Sequence, residues 1–132
     1  MKSYIPEGHN SVSPYLLVEN VAQQIEFLLG TFDATLLYKK DGPNNSIKHA
    51  EIKIDDSVIM LGQRPNHELT VISSIHVYVK SVDETYRRAL TAGAVSISEP
   101  EDQPYGDRSA GVEDAQGNYW WIGTHIGKRK SK

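Results

Sequence analysis

The chain has 132 residues with 14 basic and 17 acidic side chains, which gives a formal net charge of −3 at pH 7. Its length suits one compact domain, and its 39% hydrophobic and 23% charged residues are typical of a folded globular chain. The absence of cysteine excludes disulfides, thiol catalysis and thiolate zinc sites. The slight acidity, the lack of an apolar run of ~20 residues and the lack of a signal-peptide layout predict a cytoplasmic protein with neither a nucleic-acid nor a membrane partner.

One pattern of residues occurs twice in the chain, 61 positions apart. Residues 13–21 align with residues 74–82, and both segments alternate between apolar and polar residues as β-strands do. Each segment ends at a helix-capping residue, Asn20 or Ser81, and a Gln or Glu follows three residues later. Apolar residues then recur at helical spacing in both copies. The repeat therefore predicts a strand followed by a helix in each half, with the first helix fraying around Gly30 and the second stopping at Gly93.

Three further strands are predicted in each half. In the first half they cover residues 35–38, 49–54 and 57–61, with a loop at 39–46 and a two-residue turn at 55–56. In the second half they cover residues 95–97, 109–113 and 119–124, with a loop at 99–107 and a four-residue turn at 114–117. Both halves thus follow the order βαβββ.

These predictions describe two modules, about 11–63 and 72–126, flanked by tails at 1–10 and 127–132. A helix on a sheet hides only one face of that sheet. Two such modules can place their helices outside and curl their sheets around a shared cup, which is a ready-made pocket. We therefore expect an α+β fold with a curled mixed sheet around a cup.

Several short motifs mark the strands and loops of both modules. They are Ser13-Pro14-Tyr15-Leu16, His49-Ala50-Glu51, Ile59-Met60-Leu61-Gly62, the segment 103–110 and the segment 114–121. In these motifs the chain resembles the vicinal-oxygen-chelate superfamily, which includes glyoxalase I, bleomycin-resistance proteins, fosfomycin-resistance enzymes and extradiol dioxygenases. The resemblance runs from about Ser11 to His125 and is strongest to the uncharacterised glyoxalase-like, PhnB-like branch. It implies the cup-shaped fold described above and a homodimer.

The resemblance also implies a divalent metal held by two His and two Glu residues, one from each of four strands. Carried over one by one, these positions are Ser13, Met60, Ser74 and Trp121 in this chain. Serine hydroxyls are poor ligands for transition metals, a methionine suits soft metals only, and an indole offers no lone pair. We therefore expect the usual metal centre to be absent, with no cofactor predicted in its place.

Strand alternation predicts which side chains face the cup, starting from those four positions. The two-residue turn at 55–56 places Glu51 opposite Met60, so His49, Glu51 and Lys53 face inward. A four-residue turn at 114–117 places Ala110 opposite Trp121, so Arg108 and Val112 face inward and Trp120 points toward the helices. A slip of one residue in either hairpin reverses its assignments. The predicted ligand-binding residues are Tyr15, His49, Tyr78, Arg108, Tyr119 and Trp121.

This lining is typical of a pocket for a flat organic molecule, with Arg108 available for a carboxylate, phosphate or enolate. For Tyr78 and Tyr119, packing in the core or at the rim is an equal alternative to ligand contact. The first functional hypothesis is therefore a metal-free protein that binds a small aromatic or anionic molecule.

The second hypothesis is an enzyme of the lyase, isomerase or dioxygenase type. It would use His76 and Glu51 as catalytic acid and base, or a displaced divalent metal at His49, Glu51 and His76. A third hypothesis is a structural dimerisation module whose cup is filled by side chains. The three other histidines, His9, His67 and His125, have no partner pattern and are interpreted as surface residues.

Overall fold

The computed structural model describes residues 4–65 and 71–127. His67, interpreted above as a surface residue, and residues 128–132 of the predicted tail lie outside the described residues. The chain divides between Val71 and Ile72 into two compact units, and each is described by itself. Within the described ranges, no helix is both long enough and apolar enough to cross a bilayer.

The first unit contains one helix and a four-stranded sheet. Its elements in chain order are β1 (Tyr15–Val18), α1 (Val21–Thr31), β2 (Ala34–Asp41), β3 (Ile47–Ile54) and β4 (Ser57–Gln63). The sheet order is β1-β4-β3-β2, with β1 parallel to β4 and the other neighbours antiparallel. A short 3₁₀ turn at Pro43–Asn45 connects β2 to β3.

The second unit repeats the same order of elements. They are β5 (Ser74–Tyr78), α2 (Val82–Thr91), β6 (Val95–Asp102), β7 (Asp107–Glu113) and β8 (Tyr119–His125). The sheet order is β5-β8-β7-β6, again with one parallel pair, β5 and β8. The predicted α+β class with two βαβββ modules is therefore confirmed, while the shared cup stays a prediction. Strands β2 and β6 are longer than predicted because residues assigned to the following loops still pair with β3 and β7.

Both helices begin at the predicted caps. The side-chain oxygen of Asn20 accepts a hydrogen bond from the Gln23 amide at 3.0 Å, and the Ser81 hydroxyl oxygen accepts one from the Glu84 amide at 3.3 Å. Such caps satisfy amide donors that have no partner within the helix. Helix α2 ends as predicted before Gly93, which has a φ of +104°.

Each helix covers one face of its own sheet and leaves the other face open. In the first unit Leu16, Ile52 and Leu61 lie on the covered face with 0% exposure, and Leu28 of α1 is also fully buried. Burying each of these side chains contributes on the order of 1.5–3 kcal/mol to the free energy of unfolding. We call the opposite faces the first and second open faces. They carry the side chains from which a site could be built.

The predicted register of the first hairpin is confirmed. Ile54 pairs with Ser57 across the two-residue turn, and Glu51 pairs with Met60. Because side chains alternate along a strand, His49, Glu51 and Lys53 all lie on the first open face, opposite the buried Ile52.

The predicted register of the second hairpin is wrong by one residue. Glu113 pairs with Tyr119 and Gly111 pairs with Trp121, so the turn has one more residue than predicted. Asn118 belongs to the turn because its amide donates to Asp114 Oδ1 at 3.0 Å. This shift reverses every assignment on β7: Arg108 and the fully buried Val112 lie on the face covered by α2. The orientation of Trp120 toward that covered face was predicted correctly, since it is 0% exposed.

Candidate functional site

On the first open face, two imidazoles bind the carboxylate of Glu51. His9 Nε2 donates to Glu51 Oε1 at 2.8 Å, and His49 Nε2 donates to Glu51 Oε2 at 3.4 Å. The His9 and Glu51 side chains are only 14% and 18% exposed. The interpretation of His9 as a surface residue is therefore wrong, because it holds the segment before β1 against β3.

These contacts determine the charge state of Glu51. Partial burial alone would raise the pKa of this carboxyl group, but the hydrogen bonds from His9 and His49 and the charges of the two rings lower it further than burial raises it. The net pKa of Glu51 lies below its ordinary value, so the group is ionised at neutral pH. A carboxylate with a lowered pKa and two imidazole donors is a weak proton acceptor, which disfavours the predicted role of Glu51 as a catalytic base.

Aromatic rings lie beside this cluster. The centroid of the Tyr15 ring is 6.1 Å from that of His49, with the rings edge to face, and the Tyr38 ring is 6.2 Å from His49 on the other side. Tyr15 lies over Gly62, where a Cβ atom would stand only 2.9 Å from ring carbons of the tyrosine. Tyr15 and His49, both predicted as ligand-binding residues, are thus brought together, and Tyr38 is an aromatic neighbour that the sequence analysis did not single out.

A groove of about 790 Å³ lies next to these rings, between β4 and the connection from β2 to β3. Tyr15 and His49 form one part of its lining, and three basic side chains, Lys40, Lys48 and Arg64, form another. The Pro43–Asn45 turn shapes the wall formed by this connection, because the Ser46 amide donates to Pro43 O at 3.1 Å. The lining of the groove thus combines two rings with three basic residues.

On the second open face, two positions that the resemblance associates with metal ligands contact each other. Trp121 Nε1 donates to the Ser74 hydroxyl oxygen at 2.8 Å. The Trp121 ring lies over Gly111, where a Cβ atom would stand 2.6 Å from Trp121 Cε3. Tyr119 packs edge to face against Trp121, with ring centroids 6.2 Å apart. The predicted pair Tyr119 and Trp121 is therefore brought together on one aromatic surface.

Tyr78 and His76 extend this surface along β5. Their ring centroids are 4.5 Å apart, and the His76 ring lies over Gly123. The Tyr78 hydroxyl donates to Asp107 Oδ2 at 2.7 Å, and His125 Nδ1 donates to Asp107 Oδ1 at 3.0 Å. Asp107 is only 2% exposed, so both donors bind a buried carboxylate.

Sequence reasoning missed Asp107 as part of this face. With a four-residue turn, alternation along β7 pointed its side chain toward the helices. The observed turn has five residues, which reverses the alternation and places Asp107 on the open face. Assigning Asn118 to the turn would therefore have identified Asp107. His125 is exposed, as predicted, but it has a partner in Asp107.

Arg108 was predicted to face this surface, but its side chain lies on the opposite face of the sheet, the one covered by α2. Its Nε donates to Asp83 Oδ1 of α2 and its Nη1 donates to Asp102 Oδ1 of β6, both at 3.0 Å. These hydrogen bonds raise the pKa of Arg108, and the guanidinium is held on the covered side of the sheet. The assignment of Arg108 to an anionic ligand is therefore corrected: this cation anchors α2 and β6 to β7.

The predicted catalytic residues do not form a pair within either unit, since Glu51 belongs to the first unit and His76 to the second. Among residues 4–65 and 71–127, no three His, Cys, Asp or Glu side chains form a group that could hold a metal ion. The displaced metal site at His49, Glu51 and His76 stays a hypothesis.

Comparison with known proteins identifies the family. The family model for the Glyoxalase/Bleomycin resistance protein/Dioxygenase superfamily matches residues 10–122. The chain therefore belongs to this superfamily, which confirms the resemblance. An uncharacterised protein of Mycobacterium bovis is 34% identical over 127 residues, covering 88% of this chain and 84% of the relative.

Solved structures share the fold. TioX from Micromonospora sp. ML1 superposes with a TM-score of 0.72 at 21% identity, covering 93% of this chain and 100% of that protein. A PhnB protein from Bacillus cereus superposes with a TM-score of 0.67 at 16% identity, covering 87% of this chain and 99% of that protein. The second likeness agrees, at the level of the fold, with the predicted similarity to the PhnB-like branch.

Proposed function

We propose that this protein binds a small organic molecule through the aromatic side chains of an open sheet face, without the four-ligand metal centre that the superfamily resemblance implies. The observation that carries the proposal is the hydrogen bond from Trp121 Nε1 to Ser74. Trp121 and Ser74 are two of the four positions that the resemblance associates with metal ligands, and here their side chains bind each other.

The four side chains at these positions do not fit a divalent ion. An indole presents an N–H donor and no lone pair in its ring plane, and the Ser74 oxygen already accepts that N–H. Ser13 offers a second neutral hydroxyl, and Met60 a thioether on β4. Hard and borderline divalent ions prefer carboxylate, imidazole and thiolate ligands.

The aromatic surfaces support binding of a flat molecule. Tyr15, Tyr78 and Tyr119 are 54%, 52% and 37% exposed, although rings of this size normally gain free energy from burial. Each lies on an open face beside another ring. Rings fixed by neighbours lose little conformational freedom when a ligand stacks on them, which favours their use in recognition.

The alternative, an acid–base enzyme using His76 and Glu51, receives less support. Both oxygens of Glu51 accept hydrogen bonds from imidazoles, and its pKa is lowered. A turnover that His76→Ala abolishes would overturn the assignment as a binding protein.

A titration with naphthalene-2-carboxylate, followed by calorimetry, tests the proposal. We expect saturable binding that Trp121→Ala weakens at least fivefold, while Tyr105→Ala, a change of an exposed tyrosine outside the open faces, leaves it within twofold. The fluorescence of the buried Trp120 reports whether the variant is folded. No saturable binding, or equal binding by the folded Trp121→Ala protein, would overturn the proposal.

A further inference from the structure

We propose that the groove beside Tyr15 binds an organic anion, a carboxylate or a phosphate, through Arg64, Lys48 and Lys40. This inference rests on the proposed function and adds the charge of the ligand and the residues that select it. It also assigns the anion-binding role, predicted for Arg108, to other residues, because Asp83 and Asp102 hold Arg108 on the covered side of the second sheet.

Arg64 is held in place by the backbone. Its amide donates to Val18 O at 2.9 Å and so continues the pairing of β1 with β4 beyond Gln63. The Gln63 side chain donates to Glu19 O at 2.8 Å and ties the same strand end to the start of α1. The Arg64 side chain, which is 11% exposed, therefore lines the groove from a fixed backbone position.

The hydrogen bonding of this guanidinium is incomplete. Arg64 Nε is buried and has no hydrogen-bond partner among the described residues. Its charged partner is Glu19, with Nη1 and Oε1 3.7 Å apart and half of the Glu19 side chain exposed. An ion pair at this distance with a half-exposed carboxylate contributes little, whereas a buried charged donor without an acceptor is costly. An anion in the groove would give this guanidinium a closer charged partner than Glu19.

The neighbouring charges have the same sign. Lys40 pairs with His49 across β2 and β3, and Lys48 precedes His49 on β3. Neither lysine forms an ion pair within the described ranges, and no carboxylate of those ranges lines the groove. The basic residues of the lining would attract a bound anion.

The two rings in the lining of the groove favour an organic anion over an inorganic one. Tyr15 and His49 line the same groove as the three basic side chains. A planar guanidinium binds carboxylates and phosphates through two parallel hydrogen bonds, while a ring beside it can stack against the body of the ligand. The volume of about 790 Å³ accommodates a molecule larger than a single ion.

Matched probes test this inference on the full-length protein. Naphthalene-2-carboxylate carries the anionic group, naphthalene-2-methanol is its neutral counterpart, and naphthyl 2-phosphate distinguishes a phosphate from a carboxylate. We expect Arg64→Gln to weaken binding of at least one anionic probe tenfold or more, and to change binding of the neutral probe less than twofold. Lys48→Gln, at an exposed position that should not affect folding, is expected to weaken the same probe three- to tenfold.

Lys53→Gln is the matched control, because Lys53 is a cation on the same open face that does not line the groove. It should leave the affinities for both anions within twofold. Equal affinities of wild type, Arg64→Gln and Lys48→Gln for the anions, or an equal loss in Lys53→Gln, would overturn the inference. If the neutral probe still binds in that case, the proposed function stands without an anion site. If no probe binds any variant, the proposed function fails as well.

Discussion

Trp121 donates its indole N–H to Ser74 at 2.8 Å, so two strand positions that resemble metal-ligand positions of the superfamily bind each other instead. Both side chains lie on the second open face, beside Tyr119. The hydrogen bond from Trp121 to Ser74 therefore holds the indole ring on the aromatic surface, next to Tyr119.

Ser74→Ala tests the strength of this contact. It leaves the Trp121 N–H without its acceptor, and because the ring is partly exposed we expect the free energy of unfolding to fall by about 0.5–1.5 kcal/mol. Urea unfolding followed by circular dichroism measures the change. Ser13→Ala is the control at the repeated position in the first unit, and an equal loss there would show that the hydrogen bond is not responsible.

Gly111→Ala should displace the Trp121 ring. An added Cβ would stand 2.6 Å from Trp121 Cε3, and the ring is tied to Ser74, so we expect a loss of about 1–3 kcal/mol in unfolding free energy. Gly62→Ala should cost clearly less, since the half-exposed Tyr15 ring over it has room to rotate away. Thermal unfolding of both variants tests the order, and a larger loss in Gly62→Ala would contradict the described packing.

Asp107→Ala removes the buried acceptor of Tyr78 and His125. Leaving the Tyr78 hydroxyl without this partner should lower the free energy of unfolding by about 1–3 kcal/mol. His125→Ala should cost less than Asp107→Ala, because the His125 side chain is 57% exposed. A double-mutant cycle of Asp107→Ala with Tyr78→Phe isolates the pair. Strict additivity in that cycle would mean that the two side chains do not interact.

The lowered pKa of Glu51 makes the free energy of unfolding depend on pH. Its folded pKa lies below its ordinary value of 4.5, so the carboxylate stabilises the folded state above pH 4.5. That contribution is lost as the pH falls through the folded pKa. The difference in unfolding free energy between wild type and Glu51→Gln should therefore shrink as the pH falls below 4.5. A difference that grows on acidification would contradict the assigned contacts with His9 and His49.

The parts of the fold that depend on neighbouring residues were predictable from the sequence. The caps at Asn20 and Ser81 follow from residues three positions apart, and the first hairpin follows from a two-residue turn between clearly alternating strands. Asp55, with a φ of +52°, adopts the left-handed conformation that such a turn requires.

The second turn depends on distant contacts and was not predictable in the same way. The Asn118 side chain accepts a hydrogen bond from the Ser73 amide, 45 positions earlier in the chain. That contact, together with the Asp114 carboxylate, assigns Asn118 to the turn and reverses β7. The predicted register therefore turned Arg108 toward a ligand and Asp107 away from the open face, the reverse of the observed orientations.

The groove could not be predicted from the sequence either. Arg64 follows the predicted end of β4 and belongs to no motif. Its place beside Tyr15 depends on the parallel pairing of β1 with β4, which joins segments more than 40 residues apart. Local patterns identified Tyr15 and His49 of the groove, whereas tertiary pairing determines which cations accompany them.

The most direct test of a metal-free binding site is the affinity for naphthalene-2-carboxylate of chelator-treated protein, measured by calorimetry with and without added Mn²⁺ or Zn²⁺. We predict dissociation constants that agree within twofold under all three conditions. Binding that disappears on chelation and returns with either ion would contradict the account.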